Sequence, residues 1–88
     1  MRQFTHNGYT IRAGDYIEIW KENMPHHIVG KVSCISRRFV HISDIIFIGE
    51  DGYIECNPNT IERDSKRSLI ESYKIKKINP AEYFSIII

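Results

Sequence analysis

Eighty-eight residues allow one small domain, spanning 1–88, whose core needs every strand it can recruit. Apolar residues make up 42% of the chain and charged residues 26%, which excludes a disordered tail. With 12 basic and 11 acidic residues the net charge is +1, so bulk charge gives no case for nucleic acid and only a local patch could supply one.

In chain order, Arg2–His6 and Tyr9–Arg12 flank Asn7-Gly8 and read as a short hairpin, because both turn residues tolerate positive φ. Ala13-Gly14-Asp15 turns the chain into Tyr16–Trp20, where apolar residues fall at every second position. Ile17 and Ile19 share one face of that strand, and Tyr16, Glu18 and Trp20 share the other. Lys21–His27 is a loop broken by Pro25. Ile28–Ser36 forms a second long strand with Gly30 inside it, a mark of a bulge, a bend or close backbone approach. Arg37-Arg38 is a tight turn and Phe39–Ser43 returns. Asp44 is a bulge or corner ahead of Ile45–Ile48, which is apolar on both faces. Gly49–Gly52 is a further hairpin turn, followed by Tyr53–Cys56, and Asn57–Thr60 breaks the sheet. Thr60–Ser72 is open between a helical turn capped by Thr60 or Asp64, an irregular excursion, and a strand from Ser68. Tyr73–Ile78 alternates weakly. Asn79-Pro80-Ala81-Glu82 has the cap, proline and returning acid of a helix start.

These elements predict an all-β domain: a small curved antiparallel sheet of five or six strands closing into a barrel, with a short C-terminal helical turn. Ile17, Ile19, Val32, Ile35, Val40, Ile42, Ile54 and Ile75 are its expected core. The β-branched tail Ser85–Ile88 is expected to be covered, by adding a strand to its own sheet or by pairing with a second copy in a homodimer.

The strand pattern resembles the Src-homology-3-like barrels, and within them the KOW pattern. Gly14-Asp15-x-Ile17-x-Ile19, Gly30-x-Val32-x-x-Ile35 and the returning Val40 and Ile42 carry the resemblance. It spans about a third of the chain. It implies a small barrel and, by family habit, RNA, ribosomal components or transcription complexes as partners. The chain departs from the pattern at Glu22–His27, where family members carry a Lys- and Gly-rich loop.

Catalytic chemistry finds no motif. His6, His26, His27, His41, Cys34 and Cys56 lack the paired spacing of a zinc site, so no metal or other cofactor is expected. Cys34 and Cys56 read as buried free thiols of a cytoplasmic protein. Glu50-Asp51 sits at a hairpin tip open to water, and no phosphate-cradling glycine loop is present. No apolar run reaches the length of a membrane span, and Met1–Arg12 lacks the apolar segment of a signal peptide. The chain is therefore read as no enzyme.

Two partner classes follow. The first is a protein, bound through Tyr16, Glu18, Trp20 and Met24, an aromatic strand face beside a Met-Pro loop. Its bearer would be an adapter, assembly factor or inhibitor of the kind a phage or other mobile element encodes. The alternative is RNA or DNA, held by Arg37, Arg38, Phe39, Tyr73, Lys74, Lys76 and Lys77, basic groups interleaved with aromatic ones. A bland reading competes with each: Trp20 closing one end of the barrel, and lysines guarding sheet edges. A small-ligand pocket in the barrel mouth is a third reading.

Overall fold

The computed structural model describes residues 3–57 and 61–86. Its first element is the hairpin β1 (Gln3–His6) and β2 (Tyr9–Arg12), joined as expected by Asn7 at φ 49° and Gly8 at φ 84°. The remaining strands are β3 (Tyr16–Trp20), β4 (His26–Ile35), β5 (Phe39–Gly49), β6 (Ile54–Asn57), β7 (Glu62–Ser65) and β8 (Lys74–Ile78). They form one antiparallel sheet in the order β6-β5-β4-β3-β8, with β7 pairing β5 beside β6. Two short helices complete the fold, α1 (Lys66–Ser72) and α2 (Pro80–Ile86).

The sheet bends sharply in the middle of β4 and β5. Asp44 adopts φ 53°, and the β4–β5 register slips between Val29 and Lys31. Gly30 lies in that slip, packed against Ile42 and the Ser43 carbonyl. The glycine was legible as a close-approach residue, and Asp44 as a corner. The corner does not end the strand, however, and β5 runs through it from Phe39 to Gly49. β6 and β7 pair with the two halves of β5, β6 beyond the corner and β7 before it.

The sheet is curved but does not close. Among the described residues, β8 at one edge and β6 with β7 at the other have no ladder between them, and β1–β2 is a separate two-stranded sheet. The expected barrel is thus corrected to an open bent sheet with a core on each face. On the inner face Ile17, Ile19, Ile28, Val32, Val40, Ile42, Ile45 and Ile75 pack beneath Phe4 and Ile11 of the hairpin and Leu69 of α1. On the outer face Val29, Ile46 and Ile78 pack against Tyr83 of α2, with Tyr16, Ile48 and Ile86 at their margin. Full burial of each such side chain is worth about 1.5–3 kcal/mol, so both layers count in a chain this short.

Three sequence expectations are overturned. Ile54 is 45% exposed, because β6 is an edge strand and Ile54 faces outward beyond the cover of α2. Cys34 and Cys56 are both exposed rather than buried. A register shift between Val32 and Cys34 turns Cys34 outward, and Cys56 lies on the same edge strand as Ile54. Ser85 and Ile86 continue α2 instead of forming a strand, while Ile87 and Ile88 lie outside the described residues. Asn79 does cap this helix, its Oδ1 accepting from the Ala81 N–H at 2.8 Å. The open choice over 60–72 falls to a helix after a short strand. Its cap is Ser65, whose Oγ accepts from the Ser68 N–H at 3.0 Å; of the candidate caps, Asp64 is in β7 and Thr60 lies outside the described residues.

Candidate functional site

β3 alternates, so Tyr16, Glu18 and Trp20 do share the outer face, but the fold uses them differently. Tyr16 lies under α2, its ring centroid 4.5 Å from that of Tyr83 and 5.7 Å from that of Phe84. Glu18 and Trp20 lie beyond the helix. Both meet His27 of the neighbouring strand: the Glu18 carboxylate accepts from Nδ1 at 2.5 Å, and the Trp20 ring stacks on the imidazole at 5.0 Å with 6° between planes. The sequence pattern puts His27 in a solvated loop. Its actual role follows from β4 beginning earlier than expected, at His26, which brings His27 into the ladder. Met24 is on the other side of the sheet, packed against the inner core, and does not join the aromatic face.

From Trp20 an apolar row crosses the outer face. Trp20 pairs with Lys74 on β8, His27 pairs with Ile48 on β5, and Ile48 pairs with Ile54 on β6. α2 covers the adjacent rows of Val29, Ile46 and Ile78; in this one Trp20, His27 and Ile48 are half-buried, Ile48 against that covered cluster, and Ile54 is exposed.

The expected nucleic-acid residues do not form one group. Arg37, Arg38 and Phe39 lie at the turn between β4 and β5, and the chain folds back to add Ser65, Lys66 and Arg67 around a depression of about 450 Å³. Arg63 joins them with its guanidinium 4.5 Å from the centre of the Phe39 ring, and Arg67 pairs with Glu71 at 3.1 Å. Nothing local in the sequence announces that β7 lies beside Phe39 and brings Arg63, Lys66 and Arg67 to this turn. Lys74 and Lys76 are elsewhere, opposite Trp20 and Glu18, at the end of the sheet where β4 begins. Tyr73 packs against the inner core with the Lys21 ammonium 5.0 Å above its ring. Lys77 is a strut: its ammonium pairs with Asp15 at 3.3 Å and donates to the Thr10 carbonyl at 3.5 Å, tying the β1–β2 hairpin to β8.

A third feature lies beside the Gly49–Gly52 turn. On the inner side, where the start of β4 meets the β5–β6 turn, lies a concave pocket of about 650 Å³. Phe47 and Tyr53 line it with His26, whose ring meets that of Phe47 edge-on at 5.1 Å. Glu50, Asp51 and Glu55 supply its carboxylates, and among the described residues no lysine or arginine lines it. Nearby, Glu62 pairs with Ile42 and so faces the inner side. Burial and the neighbouring Asp64 push its carboxyl above the ordinary range, with His26 opposing.

Among the described residues no group of three or more His, Cys, Asp or Glu side chains is placed to hold a metal, and no helix is long and apolar enough to cross a membrane. No family model, curated protein or solved structure matches the chain. The likeness of β3, β4 and β5 to the KOW pattern therefore stands as a likeness of strand pattern alone.

Proposed function

We propose that this chain is a non-catalytic protein-binding module, an adapter, assembly factor or inhibitor that works by contact. The observation that carries the reading is the partly uncovered row on the outer face, half-buried Trp20, His27 and Ile48 ending on exposed Ile54, beside a helix that covers the adjacent rows of the same face. Tryptophan is enriched among residues that dominate protein interfaces, because it removes a large area from water with few rotors to freeze. Stacking on His27, itself held by Glu18, fixes the indole before any partner arrives, which lowers the entropy cost of binding. The exposed thiols of Cys34 and Cys56 suit a reducing compartment such as the cytoplasm.

A second reading, binding of RNA or DNA, is supported by the cluster of Arg37, Arg38, Arg63, Lys66 and Arg67 around Phe39. Affinity capture from the source cell, with and without nuclease, separates the two. Under the protein reading, a partner is retained after nuclease treatment and lost with Trp20→Ala. Capture that disappears with nuclease, or with Arg37→Glu and Arg38→Glu but not with Trp20→Ala, transfers the function to nucleic acid.

A further inference from the structure

We propose that the pocket between β4, β5 and β6 is a receptor for an arginine side chain presented by a protein partner. The inference rests on the reading of the chain as a protein-binding module, but it uses the opposite face of the sheet from Trp20. A volume of about 650 Å³ is within the range of pockets that enclose a small ligand. Its chemistry is one-sided. Phe47 and Tyr53 offer aromatic surface, and Tyr53 is 62% exposed, a large ring left in water at the mouth. Glu50, Asp51 and Glu55 line the same pocket with negative charge, and among the described residues no lysine or arginine in the lining offsets it.

Two of these carboxylates have small structural duties. One Asp51 oxygen accepts from the Tyr53 N–H at 3.0 Å and one Glu55 oxygen accepts from the Asn57 amide at 3.3 Å. Each keeps a second oxygen for an incoming donor, since an ionised carboxylate offers about four acceptor positions. A cation over an aromatic face, with carboxylates at its edge, is the arrangement that suits a guanidinium. The planar group stacks on rings and donates sideways in a fork, whereas an ammonium does only the second as a point charge. The occupant is therefore an arginine rather than a lysine, and it arrives on a protein segment.

The test uses the whole isotopically labelled chain and three capped tripeptides: Gly-Arg-Gly, Gly-Lys-Gly and the neutral isostere Gly-citrulline-Gly. The arginine peptide is expected to give saturable amide shifts at His26, Phe47 and the Gly49–Glu55 turn. The citrulline peptide binds about ten-fold more weakly, and the lysine peptide falls between them. Tyr53→Ala and Glu55→Lys, both at exposed positions, weaken the arginine peptide while leaving the rest of the spectrum in place. Equal binding of arginine and citrulline peptides, or shifts confined to other surfaces, overturns the assignment. Self-association of the chain that Glu55→Lys abolishes would seat a second copy in the pocket and overturn the foreign partner. Loss of the arginine site with Trp20-dependent capture intact defeats this inference alone.

Discussion

Gly30 lies directly beneath Ile42: a β-carbon built on the glycine would stand 2.5 Å from the Ile42 Cγ2 methyl and 3.0 Å from the Ser43 carbonyl oxygen. The bend of the whole sheet depends on this approach, because it is where β4 loses register against β5. Gly30→Ala must move a buried isoleucine or the backbone of β5. Overpacking of this kind costs about 1–3 kcal/mol. Thermal or urea unfolding reads the loss, and a variant as stable as the parent would show that the strands separate easily at the bend.

Tyr83 anchors α2. Its hydroxyl donates to the Asp44 carbonyl at 2.6 Å, the carbonyl of the one residue in β5 with positive φ. Tyr83→Phe removes the donor and leaves that carbonyl short of a partner, a loss of about 0.5–1.5 kcal/mol. Burial and the neighbouring Asp44 push the phenol above its ordinary value of 10.0. The folded chain thus holds the phenolic proton more tightly than the unfolded chain. The resulting stability is complete below pH 10.0 and is lost as pH rises from there through the folded value. The substituted ring has nothing to ionise, so Tyr83→Phe should show a shallower alkaline decline than the parent in pH-resolved melting curves.

Glu62 carries a liability of the same sign, already present at neutral pH. Its carboxyl is raised by burial and by Asp64, so its ionised form costs stability above the folded value. Glu62→Gln should melt higher than the parent near neutrality. The gap should shrink as pH falls through the raised folded value toward the ordinary 4.5, where both side chains are neutral in the folded chain. A glutamine variant that melts lower at neutral pH would mean that the contribution of His26 outweighs the other two.

Cys34 and Cys56 are both exposed. A thiol reagent should therefore label both in the native chain, without denaturant. Labelling that waits for unfolding would restore the buried reading of one or both.

Much of the sheet could be read from period-two alternation. Ile17, Ile19, Val32, Ile35, Val40, Ile42 and Ile75 are all buried as expected, and Asn7-Gly8 turns the first hairpin. Alternation separates two faces but does not say which parts of a face are covered. Ile54 alternates as a core residue would, yet α2 stops short of it. Parity also fails across a bulge, which is why the pattern puts Cys34 inside and the fold does not. Ile86 favours a strand by intrinsic preference, but the Asn79 cap and the burial of Tyr83 draw it and Ser85 into a helix. Closure of a barrel depends on whether distant edges meet, and no local pattern encodes that. For the same reason Trp20 was visible as a surface candidate, whereas its stacking on His27, the grouping of Arg63 with Phe39 and the acidic aromatic pocket were not. Each of these brings together side chains from different strands.

The pairing of β3 with β8, in register from Tyr16 opposite Ile78 to Trp20 opposite Lys74, also sets a timetable. β3 gains its neighbour β4 soon after it is synthesised, but its other edge stays bare until nearly all the intervening chain has been made. Ile17 and Ile19 are flanked by that bare edge throughout the wait. Pairings so distant in sequence form slowly, because the loop must close before any contact repays it. The nascent chain therefore passes through a stage with an unpaired apolar edge, which is a target for chaperones during synthesis and for aggregation when expression is fast.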